Sequence, residues 1–167
     1  MRIGKGRTQL NSMSRTKIGL IVLLSILVAI QFVQPARNQS VQASTSGIAT
    51  IINVPENVQA ILQRSCYDCH SNNTRYPWYA AIQPGSWWMA SHIDEGKGEL
   101  NFDDFASYSK RRQLSKLKAM QGAIEDESMP LPSYTLIHRD AILSQKNKKL
   151  LKDWIDVSRD KISNKYL

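Results

Sequence analysis

Cys66-Tyr67-Asp68-Cys69-His70 contains both cysteines of this 167-residue chain and one of its three histidines. Two thiols separated by two residues can lie on one short turn, and a histidine directly after the second thiol can turn its imidazole to the same side. This order is the C-x-x-C-H attachment signature of a c-type haem, in which each thiol forms a thioether with a porphyrin vinyl group. The motif therefore predicts one covalent haem c held by Cys66 and Cys69, with His70 as an axial iron ligand.

Three other uses of a C-x-x-C pair remain open on the sequence alone. A redox-active pair usually belongs to a strand-helix unit of a thioredoxin-like fold, and this chain has no β-alternating stretch of any length. A zinc site would need two further ligands, and the available His92 and His138 are far apart in sequence. A simple structural disulfide is the third alternative.

An apolar run near the amino terminus predicts a membrane segment. Ile18 to Val33 carries no charge and follows a basic region, residues 1–17. As a helix the run would be about 24 Å long, against a hydrocarbon core of about 30 Å. We expect a membrane anchor or signal segment over residues 18–34. An uncleaved anchor is favoured, because a possible small-residue cleavage site, Val41-Gln42-Ala43, lies well beyond the run.

The positive residues before the apolar run predict the compartment of the rest of the chain. They stay on the cytoplasmic side, so the remainder is expected on the periplasmic side of the bacterial inner membrane. There it is either anchored at its amino terminus or soluble after signal cleavage.

The formal charge of +8 is concentrated at the amino terminus. Six basic residues precede residue 38 without a single acidic one, and residues 38–167 carry 16 Lys and Arg against 14 Asp and Glu. The body of the chain is therefore close to neutral, and no nucleic-acid partner is expected.

Residues 35–53 are predicted to be a flexible linker, because the stretch from Asn38 to Asn53 is rich in Gln, Ser and Thr. Residues 54–163 are predicted to form one mainly α-helical domain. Its first helix would start at Pro55, with Asn53 as a cap, and end at the cysteine motif. A second amphipathic helix is expected from about Ser107 to Asp126, and a last one after a Ser144 cap.

Aromatic residues between these helices are candidates for the walls of a porphyrin pocket. Trp78 lies in a predicted loop over residues 71–79, and Trp87 and Trp88 lie with His92 on a predicted short helix that ends at Gly96-Lys97-Gly98. The alternative for each tryptophan is ordinary core packing. Asp68, between the two cysteines, is expected to face solvent.

Met129 is the candidate for the sixth iron ligand. It opens the stretch Met129-Pro130-Leu131-Pro132, which is predicted to be extended or turning because of its two prolines. A thioether is a soft, neutral donor that favours reduced iron. His92 is the alternative sixth ligand, and an open sixth position is a further possibility. His138 is expected to be a surface histidine.

The order of these elements resembles class I c-type cytochromes: a helix, the cysteine motif, loops, a Met-Pro segment and a terminal helix. More specifically, the chain resembles a bacterial family of small exported haem-binding domains, over nearly all of residues 54–163. The residues that carry this family resemblance are CYDCHSNNTRYPWY at 66–79, Trp87-Trp88 with His92, Glu99-Leu100-Asn101-Phe102 and MPLPSYTLIH at 129–138, whereas Leu151-Lys152-Asp153-Trp154-Ile155 matches the terminal helix of class I cytochromes. The resemblance implies covalent haem c in a class I cytochrome c-like helical fold, and it gives no physiological partner.

Together these features predict a monohaem c-type cytochrome that is not an enzyme and that carries single electrons between redox partner proteins. A haem with two protein ligands leaves no room for a substrate at the iron. An open sixth site would instead suit a peroxidase-like protein or a haem-based sensor. No catalytic acid-base constellation is visible beside the motif. A third hypothesis is an assembly protein in which the haem is a structural element.

Overall fold

The computed structural model describes residues 14–40, 42 and 44–164, and this part of the chain is mainly helical. Within it, the one β pairing is an isolated antiparallel bridge between Gln39 and Asn73. The prediction of a mainly α chain behind a single apolar amino-terminal helix is confirmed. The helices are α1 (Arg15–Ala29), α2 (Glu56–Ser65), α3 (Tyr67–His70), α4 (Gly85–Glu99), α5 (Lys110–Glu125), α6 (Pro132–Ile137) and α7 (Gln145–Asn164).

Two features of the sequence lie wholly or partly outside the described residues. Most of the basic region falls in residues 1–13, and Val41 and Ala43 of the possible cleavage site are also outside. The predictions made for these positions therefore stay predictions.

The core lies between α2, α5 and α7, which pack through their apolar faces. The buried side chains at the helix interfaces recur at the three- and four-residue spacing that predicted the helices. Ser144 accepts a hydrogen bond from the Asn147 N–H at 3.2 Å, as expected of the α7 cap. The core includes Val58, Ile61 and Leu62 of α2, Leu117 and Ile124 of α5, Leu151, Trp154, Ile155 and Ile162 of α7, and Phe102 and Phe105 of the segment between α4 and α5.

The ends of two helices differ from the prediction by one to three residues. Pro55 is the residue before α2 rather than its first residue, and no side chain caps this helix. Asn53 is used differently, because its backbone carbonyl accepts a hydrogen bond from Trp154 Nε1 at 3.0 Å. The next long helix begins at Lys110, after a Ser109 cap whose hydroxyl accepts from the Arg112 N–H at 3.4 Å.

Helix α4 is longer than the predicted short helix, and the glycines expected to end it lie inside it. At Gly96 a Cβ atom would lie 2.7 Å from the Cys69 carbonyl oxygen and 3.1 Å from Cys69 Cβ. Glycine at this position lets the backbone of α4 pack directly against the backbone of α3, and a Cβ atom here would force one of the two backbones to shift. The glycine thus serves close packing and does not end the helix.

The segment after Met129 is also more regular than predicted. It enters α6 at Pro132, which occupies the first turn of that helix. Proline is tolerated there because the first N–H groups of a helix have no partner within the helix, so a missing N–H costs nothing. The expectation that the second proline forbids a helix was therefore wrong.

The predicted flexible linker, residues 35–53, packs against the domain over much of its length. Ile48 and Ile52 are buried in the core, and the Ile48 N–H donates to the Phe102 carbonyl at 2.8 Å. Asn38 donates its side-chain amide to the Ser71 carbonyl and to the Thr74 hydroxyl. Polar side chains of this segment form hydrogen bonds with the domain instead of with water. The segment therefore differs from a solvated tether.

Helix α1 and the 3₁₀ turn after it form an apolar helix from Arg15 to Phe32, with none of its side chains buried. Its 18 residues correspond to about 27 Å, close to the thickness of a bilayer core. By length and composition it could be a membrane anchor or a signal sequence.

Candidate functional site

The cysteine motif, residues 66–70, forms a tight turn that we call the attachment turn. Cys66 ends α2 and precedes α3, and its backbone (φ −130°, ψ −44°) breaks the helix direction between them. The Cys66 carbonyl accepts hydrogen bonds from the N–H groups of Cys69 and His70, at 3.2 and 3.0 Å. Both thiols are half-buried and free.

The His70 imidazole is held in the tautomer that a metal ligand needs. Its Nδ1 lies 2.9 Å from the Leu100 carbonyl oxygen. A carbonyl can only accept a hydrogen bond, so Nδ1 carries the proton and the neutral ring keeps the lone pair on Nε2. The Phe102 N–H also donates to the His70 carbonyl, at 2.8 Å, and this bond fixes the backbone of His70 itself. Metal-ligating histidines are typically oriented by such a bond at the second ring nitrogen.

Both thiols and the His70 imidazole line one cavity of about 230 Å³, which we call the central cavity. A neighbouring cavity of the same volume shares Cys66, His70, Met129 and Pro130 with it and continues between α2 and α5. The added walls are mainly apolar: Leu100, Phe102, Ala119, Met120, Ala123, Ile124 and Leu143. Two adjoining apolar cavities beside two thiols and an oriented imidazole fit a wide, flat, apolar group such as a porphyrin.

Both sequence-predicted candidates for the sixth ligand also line the central cavity. Met129 lies on the segment between α5 and α6, with its side chain 39% exposed and its N–H donating to the Ala123 carbonyl at 3.1 Å. His92 lies on α4, where its Nδ1 is 2.9 Å from the Trp88 carbonyl oxygen. The fold therefore brings together His70, Met129 and His92, which are far apart in sequence.

Asp68 does not face solvent, contrary to the prediction, because it is buried within a polar network. Its Oδ1 accepts from the Arg75 N–H and Nε, and its Oδ2 accepts from the Arg75 guanidinium, all at 3.1 Å. The Tyr134 hydroxyl donates to Oδ2 at 2.6 Å. A buried carboxylate needs such partners to compensate for lost hydration. We call Asp68, Arg75 and Tyr134 the Asp68 network; only Asp68 is buried, and the Arg75 side chain is 62% exposed.

The thiols are not activated as redox nucleophiles. Burial, and secondarily the neighbouring thiol, raises the pKa of Cys66 to about 12. Burial, and secondarily the Asp68 carboxylate, raises the pKa of Cys69 to about 11. Reactive C-x-x-C pairs instead have lowered thiol pKa values. These environments do not favour the thioredoxin-like alternative.

The zinc alternative, in which His92 and His138 complete the site, does not fit the structure, because of these two only His92 lines the central cavity with the two thiols. His138 is engaged elsewhere, since its Nε2 is 2.6 Å from the Tyr79 hydroxyl and its ring stacks on Tyr134 at 4.3 Å. In the part of the chain that the structure describes, no group of three or more His, Cys, Asp or Glu side chains could hold a metal ion.

The three candidate tryptophans are exposed and lie in different places. Trp78 is 79% exposed, and Trp87 donates its indole N–H to the Val33 carbonyl at 2.9 Å. Trp88 lies against His92, with ring centroids 4.3 Å apart, and lines a small pocket that Cys69 also reaches. None of the three tryptophans is among the residues around the central cavity. A haem contact for these side chains stays a prediction, and the position of Trp88 suits it best.

Sequence reasoning missed three residues that position the site: Leu100, Gly96 and Tyr134. The carbonyl of Leu100 leaves no trace in a side-chain pattern. Gly96 was visible but was interpreted as a helix end. Tyr134 belongs to a stretch that was noted for its prolines, and its link to Asp68 spans 66 residues.

The comparison with protein families finds one match, to a family described as a haem-binding domain, over residues 25–157. This range covers most of the chain and includes the attachment turn, His92 and Met129. No curated protein and no solved structure matches the chain significantly. The likeness of the fold to class I cytochromes c accordingly stays a prediction.

Proposed function

Since this chain belongs to the haem-binding domain family, we propose that it is a monohaem c-type cytochrome that carries single electrons on the periplasmic side of the bacterial inner membrane. In this proposal Cys66 and Cys69 form the two thioether bonds and His70 is the proximal ligand. The observation that carries it is the placement of both thiols and of a correctly protonated His70 on one apolar cavity.

The bound haem would supply the one-electron chemistry, and the protein would supply the ligands and the surroundings. The Leu100 carbonyl orients the His70 ring at Nδ1. The thioether bond of the preceding residue, Cys69, would fix its backbone. A ligand held in this way keeps its position in either oxidation state, so little reorganisation accompanies electron transfer. The hydrogen bond at Nδ1 also raises the basicity of Nε2.

Met129 is the proposed sixth ligand, with His92 as the alternative. Both line the central cavity with His70. A thioether donor would favour the reduced state and raise the potential, whereas a second imidazole would lower it. With either ligand bound, no open position would remain at the iron for a substrate, as expected of an electron carrier.

The proposed location follows from α1. It is long and apolar enough to anchor the chain, and the basic residues before it favour an orientation that exports the domain. An exported position would also expose the cysteines to the compartment where c-type attachment takes place. The redox partners are then proteins that reach this side of the membrane.

Covalent attachment is tested by expressing the full chain with a c-type maturation system and staining a denaturing gel for haem. The unmodified chain should keep its colour, and Cys66→Ala and Cys69→Ala should each weaken or abolish it. Ser65→Ala is the matched control, because it also removes a single side-chain heavy atom and lies next to the motif. The hydroxyl that it removes is buried and has no hydrogen-bond partner among the described residues. Loss of colour from the unmodified chain on denaturation would overturn the proposal.

The sixth ligand is tested by optical spectra of Met129→Ala and His92→Ala. The oxidised protein should show the weak near-infrared charge-transfer band of a sulfur-to-iron bond. Met129→Ala should remove this band and open the iron to cyanide, and His92→Ala should leave it intact. The reverse result would make the haem bis-histidine, while the carrier function would remain.

An open sixth position, as in a sensor or peroxidase, is the second candidate function. The 39% exposure of Met129 favours it, because a ligand near the surface can be displaced. Rapid binding of carbon monoxide by the unmodified ferrous protein would support this function and argue against a simple carrier.

A further inference from the structure

A group of apolar side chains is exposed where α1 meets the domain. We call Phe32, Trp78, Ile82 and Trp87 the junction patch. Phe32 is 85% exposed, Trp78 79% and Ile82 50%. Single exposed apolar residues are common, but a group of large ones on one surface marks an interaction site.

The junction patch is tied to the end of the apolar helix by a set of hydrogen bonds. Buried Gln83 donates its side-chain amide to the Val33 carbonyl at 2.9 Å, and its N–H donates to Gln31 Oε1 at 2.9 Å. The Trp87 indole N–H donates to the same Val33 carbonyl. Gln34 reaches the Ala81 carbonyl at 3.4 Å. Trp87 and the segment 81–83, which includes Ile82, therefore lie directly at the helix end.

The length of the apolar helix places this junction at the surface of a bilayer. Arg15–Phe32 spans about 27 Å, slightly less than a hydrocarbon core of about 30 Å. The residues bonded to positions 31–34 would then lie at the level of the lipid headgroups. Tryptophan is the side chain most typical of this level, because its ring is apolar and its N–H is polar.

The charges around the junction patch also suit a bilayer with anionic headgroups. Residues 1–55 and 69–93 contain no Asp or Glu at all. Arg37 lies nearby, with its guanidinium 5.0 Å from the centroid of the Tyr76 ring. A surface that combines tryptophan, isoleucine and arginine without carboxylates attracts anionic lipids.

We propose that the junction patch rests in the headgroup region of the membrane that α1 enters, so that the haem domain is seated on the bilayer. The domain would then face its redox partners in one orientation, instead of moving on a flexible linker. This inference rests on the membrane anchor of the proposed function and adds a second membrane contact to it.

The test uses the full, haem-loaded chain in nanodiscs of phosphatidylethanolamine and phosphatidylglycerol. A nitroxide label is attached to Ile82→Cys, and to Ile142→Cys as the matched control, since both isoleucines are 50% exposed. Trp78→Cys provides a second patch position, and Leu24→Cys a position within the apolar helix. Power saturation measures how often each label collides with oxygen, which concentrates in lipid, and with a nickel complex, which stays in water. A sample under nitrogen gives the baseline for both collision rates.

Labels at positions 82 and 78 should favour oxygen over nickel several-fold more than the label at position 142. If they match position 142 while the Leu24→Cys label lies in lipid, the domain stands clear of the membrane and the inference is overturned, although the anchor remains. If the Leu24→Cys label is also in water, the anchor itself is overturned. Labelling of the unmodified chain would contradict thioether formation at the native cysteines.

Discussion

The attachment turn and the segment that carries Met129 line the same cavity but are held in different ways. The turn is flanked by buried Ser65 and Ser71 and contains buried Asp68. The methionine segment, residues 127–134, lies mostly at the surface, and Glu127, Ser128 and Met129 are all exposed. It is held by the exposed ion pair of Glu127 with Lys148, by the Met129 N–H bond to the Ala123 carbonyl and by the Tyr134 bond to Asp68.

This difference teaches that the two axial positions of the proposed haem depend on different parts of the fold. The His70 side is built into the packed domain, so changes there should cost stability. The Met129 side is a surface segment with few attachments, so changes there should affect coordination more than stability. The following substitutions test this contrast, beginning with the largest expected effect.

Removing the carboxylate at the centre of the Asp68 network should have the largest effect. Asp68→Ala should lower the free energy of unfolding by about 3 kcal/mol, because the Tyr134 hydroxyl and the Arg75 backbone N–H lose a charged hydrogen-bond acceptor. The control is Asp153→Ala, whose ion pair with Lys149 is exposed and should contribute less than about 0.5 kcal/mol. Denaturant unfolding followed by circular dichroism measures both, and equal effects would show that the network is not a stabilising element.

Tyr134→Phe should cut the link between the two regions. The lost hydrogen bond has a charged acceptor, so we expect a loss of about 2 kcal/mol. Tyr67→Phe removes the same atom from a bond to the neutral Gln59 amide, at 3.2 Å, and should cost about 1 kcal/mol or less.

Tyr134→Phe should also weaken the sulfur-to-iron band, because one end of the methionine segment is released, and Tyr67→Phe should leave the band unchanged. A full-strength band in Tyr134→Phe would show that this link does not position Met129.

Gly96→Ala should separate α4 from the attachment turn. The new methyl group would lie 2.7 Å from the Cys69 carbonyl oxygen, and we expect a loss of about 1–2 kcal/mol after the helix propensity of alanine is included. Gly98→Ala lies two residues further on the same helix, with no atom within 4 Å, and should instead be neutral or stabilising. Thermal unfolding of both variants checks the opposite signs, and a stable Gly96→Ala protein would contradict the close helix contact.

The smallest effect is expected at the start of the methionine segment. Glu127 has φ +60°, a conformation that glycine adopts more easily than other residues. Glu127→Gly should relieve this strain but lose the exposed ion pair with Lys148, and we expect a rise in Tm of about 2 °C. A clear fall in Tm would mean that the ion pair holds the segment more strongly than its exposure indicates.

Much of the fold could be predicted from helical periodicity, because apolar residues at three- and four-residue spacing form one face of a helix. This applied to Val58, Ile61 and Leu62 of α2 and to the buried face of α7. It failed where glycine and proline were interpreted by their average behaviour. Gly96 is needed because the backbone of Cys69 packs against it, and Pro132 is tolerated because it lies in the first turn of α6. Neither the neighbouring backbone nor the start of the helix can be inferred from the adjacent residues alone.

The order of side chains in Cys66–His70 by itself determined that two thiols and an imidazole lie together, because groups within five residues share one turn. The apolar run before residue 34 likewise determined the apolar helix α1, since length and composition are local properties. Only the tertiary structure decided what orients these groups. The Leu100 carbonyl lies 30 residues after His70, and the Tyr134 hydroxyl 66 residues after Asp68. Gln83 meets Gln31 across 52 residues. Contacts at such separations depend on how the helices pack, and no local pattern in the chain records them.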